Sequence, residues 1–288
     1  MRGPARVAAA VAGLGAAFGV AVLAGAAVPQ IHDGADTSAG HGHAEMPGAH
    51  GAGHAGTAPA GLAVADDGYR LVAAATTLPA NRGVTWRFRI LGPDGQAVTR
   101  FDVEHARRMH LIVVRRDLTG YQHLHPVMAQ DGTWSVRMLL GAAGTFRAYA
   151  DFSADGHAHT LATDLSAPGG FTPQPLAPAA AVDRAGAYSA ELSSRGAEAG
   201  ATAELTYRLR RDGRPVDGVE PYLGADGHLV ALREGDLAFL HVHPQGSDDP
   251  ATIRFGATLP SPGRYRLFLE FTHDGAVRTV AHTLVVTR

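Results

Sequence analysis

A duplicated histidine pattern is the feature that most constrains the fold of this 288-residue chain. One histidine is followed, after twelve intervening residues, by His-X-His-Pro, first over His110–Pro126 and again over His228–Pro244. All three histidines of the first copy recur at an offset of 118 residues. The repeat predicts two copies of one fold, each bringing three imidazoles together. Imidazole is the commonest protein ligand of late transition metals.

The duplication extends well beyond the histidines, at an offset that stays at 118 or 119 residues. Matched positions are Tyr69 with Tyr188, Asp94–Gly95 with Asp212–Gly213, Asp102 with Glu220, Gly144 with Gly263, and Asp151 with Glu270. We therefore predict one domain over residues 62–166 and a second over residues 182–288, joined by a Pro/Gly-rich linker at 167–181.

Each predicted domain carries the signals of short β-strands. Apolar and polar residues alternate along Trp86–Ile90 and again along Tyr207–Arg210, which is the period of a half-buried strand. Asp-Gly turn dipeptides such as Asp131–Gly132 separate the apolar runs. About seven short strands in about 100 residues are typical of a β-sandwich. The predicted fold is all-β, with two tandem immunoglobulin-like or cupredoxin-like sandwiches.

Residues 1–28 predict a signal peptide or a membrane anchor. Arg2 and Arg6 precede the uncharged apolar run Val7–Val28, which is long enough to span a bilayer. Ala24–Ala26 offers a small-residue cleavage site. Both alternatives place residues 29–288 outside the cytoplasm. The length of the run favours an anchor through residues 7–28, and cleavage would give a secreted protein.

Residues 29–61 predict a flexible, disordered linker, because no periodic apolar face is present there. Its candidates for loose metal capture are His32, His41, His43, Met46, His50 and His54. The alternative is a solvated linker that happens to be rich in histidine.

The spacing of the duplicated histidines predicts a hairpin that builds a site. If Arg115 pairs with Gly120 around a four-residue connection, His110 lies opposite His125, on the face that His123 shares. The second copy predicts the same arrangement, with His228 opposite His243. The predicted metal ligands, three in each domain, are His110, His123 and His125, and His228, His241 and His243. A register slip of one residue would move one histidine to the other face.

Acidic residues recur at matched positions and are candidates to accept hydrogen bonds from the metal-binding imidazoles. They are Asp102, Asp151, Glu220 and Glu270. The alternatives are surface loop charges for these acids and a hydrogen-bonded core network without metal for the histidines.

Composition narrows the chemistry further. The chain has no cysteine, which excludes disulfides, thiolate metal sites and cysteine nucleophiles. Its net charge is −2 and no basic stripe appears, so nucleic acid is not an expected partner. An all-nitrogen ligand set outside the cytoplasm favours copper, since Cu(II) heads the affinity order of the divalent ions, with zinc next.

The hairpin segments carry a family resemblance. They are Met109–Leu118, His123–Pro126, Glu220–Gly224, Gly227–Val230 and His241–Pro244. In these segments the chain resembles the YtkA-like and related immunoglobulin-like extracytoplasmic proteins found beside bacterial heavy-metal systems. It is more distantly similar to periplasmic copper carriers of the copper-resistance C type, but lacks their Met-rich loop and a ligand histidine at an obvious mature N-terminus. The resemblance implies metal binding or membrane-associated metal homeostasis.

The sequence thus predicts a secreted or membrane-anchored metal-binding protein of extracytoplasmic metal homeostasis, with a membrane metal transporter as an expected partner. The alternative is a structural or protein-interaction module of the cell envelope whose histidine clusters hold no metal. A copper- or zinc-dependent enzyme is a third hypothesis, because three histidines leave a coordination position open. No general base or nucleophile can be named from the sequence, so we expect no enzymatic activity.

Overall fold

The computed structural model describes residues 59–240 and 242–288, and of His243 it describes the backbone alone. All regular elements in these residues are β-strands, which confirms the predicted all-β class. Within the same residues there is no helix that is long and apolar enough to cross a membrane. The predicted anchor at 1–28 and the linker residues 29–58, with His32, His41, His43, Met46, His50 and His54, lie outside the described residues.

The first domain is a sandwich of two antiparallel sheets. Its strands are β1 (Ala65–Asp66), β2 (Tyr69–Ala73), β3 (Gly83–Leu91), β4 (His110–Arg115), β5 (Gln122–Leu124), β6 (Val127–Met128), β7 (Trp134–Leu139), β8 (Gly144–Ala154) and β9 (His157–Ala167). One sheet has the order β1-β2-β3-β7-β6 and the other the order β5-β4-β8-β9. Trp86 and Phe88 of β3 pack against Leu111 and Val113 of β4 in the core between the sheets, because alternate residues of a strand face one side.

The second domain repeats this architecture. Its strands are β10 (Val182–Ala185), β11 (Tyr188–Arg195), β12 (Thr202–Arg211), β13 (Arg214–Pro215), β14 (His228–Arg233), β15 (Phe239–Leu240), β16 (Val242–Gln245), β17 (Thr252–Thr258), β18 (Gly263–His273) and β19 (Ala276–Val286). One sheet has the order β10-β11-β12-β17-β16, with β13 beside β12, and the other the order β15-β14-β18-β19. The shared strand order confirms the predicted pair of immunoglobulin-like sandwiches.

A third apolar core joins the two domains, which lie within one compact unit. The outer faces of the two four-stranded sheets pack on each other, with Ile112 and Val114 of β4 meeting Val230 and Leu232 of β14 in one buried cluster. Strand β4 is therefore buried on both faces. This double burial explains why Leu111–Val114 is an unbroken apolar run, since an alternating strand would have one solvated face.

The hairpin register agrees with the prediction in the first domain. Leu111 pairs with Leu124, which places His110 opposite His125 one step further along. In the second domain Ala231 pairs with Leu240, as the predicted register requires. The chain then crosses to the other sheet, where His243 pairs with Gly256. The predicted cross-strand pair of His228 with His243 therefore does not form.

The end of the predicted linker is held by both domains. The carbonyl of Ala60 accepts a hydrogen bond from the N–H of Phe239 at 2.9 Å, and the N–H of Gly61 donates to the carbonyl of Thr160 at 3.1 Å. These two residues, which the sequence assigns to the flexible segment 29–61, are part of the folded interface.

Candidate metal centre

Three of the six predicted ligands come together at the edge of the interface between the domains. His110 begins β4, His123 lies in β5, and His125 follows β5 directly. One ring nitrogen from each lies within 4.8 Å of those of the other two. His110 points to the same side of β4 as Ile112 and Val114, which pack on the second domain. The histidine face of the first domain is thus the face that meets the second.

Hydrogen bonds fix which nitrogen carries the lone pair in His110 and in His123. Nε2 of His110 lies 3.2 Å from the backbone carbonyl of Glu104, which can only accept, so this nitrogen carries the hydrogen. Nδ1 of His123 lies 2.6 Å from Oε2 of Glu270 and donates to that carboxylate. In the neutral rings, Nδ1 of His110 and Nε2 of His123 then both carry lone pairs.

These two lone pairs point at each other. Nδ1 of His110 and Nε2 of His123 are 3.0 Å apart. Two nitrogens that bind one ion at about 2.0–2.1 Å stand roughly 2.8–3.4 Å apart, for angles from right to tetrahedral. Without a cation the approach of two lone pairs in a buried site is unfavourable. The donor pair therefore fits an ion that binds both nitrogens.

The third histidine adds an unsatisfied donor or acceptor. Nε2 of His125 is buried and, among the described residues, has no hydrogen-bond partner. Buried polar side-chain atoms are nearly always paired, so each exception needs an explanation. A metal ligand is such an explanation, since the lone pair would then bind the ion.

Burial keeps the imidazoles of His110 and His125 neutral. Burial lowers the pKa of His110 to about 3, and the neighbouring ring of His123 lowers it further in the same direction. Burial and the same neighbour lower the pKa of His125 to about 4. Neutral imidazole is the form that binds metal ions. At neutral pH these two rings are therefore in the ligating state.

His228 of the second domain lies beside this cluster. Its ring centroid is 6.2 Å from that of His110 and 6.0 Å from that of His123. Nε2 of His228 donates to the backbone carbonyl of Tyr222 at 2.9 Å, and Tyr222 is the counterpart of Glu104 at the repeat offset of 118. The hydrogen bond from Nε2 to a backbone carbonyl, which fixes the tautomer of His110, is thus repeated in the second domain. It leaves Nδ1 of His228 with a lone pair. Burial lowers the pKa of His228 to about 4.

The rest of the second predicted trio is only partly described. His241 lies outside the described residues, and so does the side chain of His243. The one-site-per-domain hypothesis remains a prediction for the second domain.

The four candidate acids divide into two kinds. Asp102 accepts a hydrogen bond from the N–H of Gly156, and Glu220 accepts one from the N–H of Gly275, both at 2.9 Å. Both acids therefore stabilise a turn at the same place in each domain. Asp151 and Glu270 instead lie opposite the first histidines of the two strands, in the pairs His110–Asp151 and His228–Glu270.

Glu270 contacts a histidine of the other domain. Its carboxylate accepts a hydrogen bond from Nδ1 of His123 in the first domain, and sequence position alone did not indicate which domain its partner would come from. Asp151 accepts a hydrogen bond from the hydroxyl of Thr160 at 2.7 Å.

Three participants were missed by the sequence analysis. Backbone carbonyls of Glu104 and Tyr222 orient the first histidine of each repeat. Every residue has a backbone carbonyl, so the sequence could not single out these two. The third is His105, whose ring lies 5.2 Å from that of His228. Its second-domain counterpart is Leu223, so the search for duplicated histidines passed over it.

Three solved structures that match this chain are distantly similar to it. The adhesin FdeC of Escherichia coli is 16% identical with a TM-score of 0.28; the match covers 78% of this chain and 65% of that one. Invasin, a bacterial integrin-binding protein, is 13% identical with a TM-score of 0.25, covering 76% and 39%. The Yersinia pseudotuberculosis adhesin InvE is 14% identical with a TM-score of 0.25, covering 75% and 58%. Likenesses this weak carry no argument about function, and the chain spans less than two thirds of each of these chains.

A search of curated proteins finds no match. One family model matches the chain twice, over residues 63–169 and 180–288. The two matches confirm the internal repeat and cover most of the sequence. The chain therefore belongs to the family described as Domain of unknown function (DUF8832), and carries two tandem copies of that domain.

Proposed function

We propose that this protein binds a metal ion outside the cytoplasm at a site between its two domains, with copper preferred and zinc next. His110, His123 and His125 of the first domain supply the ligand nitrogens. Glu270 of the second domain accepts the hydrogen bond that orients His123. The protein acts as a carrier or sensor in metal homeostasis and not as an enzyme, in keeping with its resemblance to the YtkA-like proteins.

One observation carries the proposal. Nδ1 of His110 and Nε2 of His123 lie 3.0 Å apart in a buried cluster. The other nitrogen of each ring already donates a hydrogen bond to an oxygen atom. A purely structural pair of histidines would place a hydrogen between the two nitrogens. The preference for copper follows from the ligand type, because Cu(II) binds nitrogen sites more tightly than the other divalent first-row ions. An N-terminal tether through residues 7–28 would present the site to a membrane metal transporter.

Titration of the full chain with Cu(II) and with Zn(II) tests the proposal. The five histidines of residues 29–61 are first replaced by asparagine, which gives a background in which loose binding is removed; we call it the tether-silenced protein. We expect saturable binding that raises the melting temperature, because a ligand that binds only the folded state stabilises it. Cu(II) should also show imidazole nitrogen couplings in its electron paramagnetic resonance spectrum.

The variant His123→Asn in the same background should lose this binding. Its matched control is His157→Asn, because His157 is an exposed histidine of the same domain at the start of β9. Equal binding by the two variants, or no shift of the melting temperature in the parent, would exclude the proposed site.

A structural module of the envelope is the second candidate function. It is favoured by the contact of His123 with Glu270, which links the domains at 2.6 Å, beside an apolar interdomain core. In that case His123→Asn should lower the melting temperature of the metal-free protein, and added Cu(II) should leave the melting temperature of the parent unchanged.

A further inference from the structure

A cleft leads from the surface to the proposed metal site. Its lining includes three histidines that differ in exposure: His105 is exposed, His228 is half-buried and His110 is buried. Apolar side chains of Val230, Leu240 and Phe255 form part of its wall. The cleft thus brings several imidazoles together between apolar walls.

The histidine rings that line this cleft lie close enough to one another for one ion to bind two of them. The centroid of His105 is 5.2 Å from that of His228 and 6.2 Å from that of His110. His228 in turn is 6.2 Å from His110. An imidazole holds an ion at about 2.0–2.1 Å from its nitrogen. Steps of this length allow an ion to bind the next ring before it leaves the previous one.

The turn that carries His105 is held in an uncommon conformation. His105 and Ala106 have φ angles of 46° and 59°, and the corresponding turn of the second domain has Leu223 and Gly224 at 54° and 84°. Backbone hydrogen bonds between Glu104 and Arg107, at 2.8 and 2.9 Å, close the first turn. Left-handed conformations of residues other than glycine persist only where the surroundings impose them, and they concentrate at functional sites. Here the turn fixes an exposed imidazole beside the cleft.

We infer that His105 and His228 form an outer station that captures the metal ion at the surface and passes it to His110, His123 and His125. This inference rests on the proposed function and names a further role at the same site. The transfer is a ligand exchange. Bonds from the metal to the nitrogens of the outer station break as bonds to the inner nitrogens form, and nothing is oxidised or reduced.

A transfer station has a kinetic signature that separates it from a ligand of the final site. It lowers the barrier of one path, so it accelerates entry and exit by the same factor and leaves the dissociation constant unchanged. Loss of a ligand in the final site would instead raise the dissociation constant. Loss of a structural residue would lower the melting temperature of the metal-free protein.

The test is stopped-flow measurement of Cu(II) binding to the tether-silenced full chain, followed through quenching of tryptophan fluorescence. Release is measured by adding excess chelator, and the dissociation constant by chelator competition. The variant is His105→Asn, because asparagine accepts a left-handed backbone more readily than most residues. His157→Asn is the control, an exposed histidine of the same domain away from the cleft.

For His105→Asn we expect the entry and exit rates to fall together by about tenfold or more, equal to about 1.4 kcal/mol of barrier. The dissociation constant and the melting temperature should stay as in the parent, and His157→Asn should change neither rate. Unchanged rates, or a raised dissociation constant with unchanged entry, would overturn the outer station while leaving the inner site in place. Failure of the parent to bind Cu(II) would overturn the proposed function itself.

Discussion

Oε2 of Glu270 in the second domain lies 2.6 Å from Nδ1 of His123 in the first. Both side chains are almost fully buried, with 8% and 3% of their surface exposed. The proposed ligand set of one domain is therefore completed by an acceptor from the other. If the proposed site binds a metal ion, this contact couples occupancy of the site to the docking of the domains, because Glu270 orients a proposed ligand across the interface.

Replacement of Glu270 by glutamine should weaken metal binding without removing it. Glutamine keeps the shape of the side chain but loses the charge that holds His123 as the Nδ1–H tautomer. Removal of such an outer partner of a metal-binding histidine typically lowers affinity about 10–100-fold. Chelator competition on the tether-silenced protein measures the effect.

The matched control is Glu220→Gln. Glu220 lies in the same domain and accepts a hydrogen bond from the Gly275 backbone, so its loss should leave the dissociation constant unchanged. If both variants bind Cu(II) as tightly as the parent does, Glu270 has no part in the site.

The much-buried ion pair of Arg115 with Asp117 predicts a pH-dependent contribution to stability. Nε and Nη2 of Arg115 donate to the two carboxylate oxygens at 2.9 and 2.7 Å. Burial alone would raise the pKa of Asp117, but hydrogen bonds from Arg115, the Gln174 backbone and Thr119 lower it on balance. A lowered folded-state pKa stabilises the fold above the unfolded value of about 3.9, and this stabilisation is lost as the pH falls through the folded-state pKa.

Asp117→Asn should therefore lower the free energy of unfolding at pH 7 by roughly 1.5–3 kcal/mol, the range for a lost hydrogen bond to a charged group. The difference from the parent should shrink as the pH falls below about 4. Urea unfolding at several pH values measures it. Asp131→Asn removes the exposed pair with Arg89 and should have a much smaller effect; a constant difference for Asp117→Asn between pH 7 and pH 3 would contradict the assignment.

The sequence predicted the local geometry of the site because that geometry depends on strand period and turn length. The pairing of Leu111 with Leu124 follows from the four-residue connection, and the alternation of side chains then places His110 and His123 on one face. The same rules predicted the β-sandwich class, whereas the repeat was predicted from the constant offset of 118 or 119 residues between matched positions.

The relation between the domains was not predicted, because nothing in strand period says what covers the outer face of a sheet. One signal was present. The run Leu111–Val114 is apolar at every position, whereas a sandwich strand with one solvated face should alternate. The crossing of the chain after Leu240 was also missed. We extended the predicted pairing of the two strands until a bulge or turn would interrupt it. The sequence shows no bulge or turn signal between Leu240 and Pro244.

The interdomain core should contribute as much to stability as a domain core does. Leu232 is fully buried in the cluster that joins the two domains. Leu232→Ala should lower the free energy of unfolding by about 2–5 kcal/mol, through lost burial and a residual cavity. The control is Leu139→Ala on the surface of β7, where 47% of the residue is exposed and the expected change is within about 0.5 kcal/mol. Urea unfolding measures both variants. If Leu232→Ala and Leu139→Ala unfold at the same urea concentration, the domain interface adds no stability.

Gly61 tests whether the segment before the first sandwich is fixed at the interface. Its φ is 71°, and a Cβ atom there would lie 2.7 Å from the ring of Tyr149 and 2.9 Å from Cβ of Phe239, one residue from each domain. Gly95 has a nearly equal φ of 75°, but no atom lies within 4 Å of its Cβ position.

Alanine at Gly95 therefore measures the backbone strain alone, about 1–2 kcal/mol. Alanine at Gly61 adds the overlap with the ring of Tyr149 and with Cβ of Phe239, which costs a further 1–3 kcal/mol, roughly the range for an overpacked core. The difference between the two variants in urea unfolding isolates the contact of this segment with the domain interface. If they lose equal stability, Gly61 is not wedged between Tyr149 and Phe239.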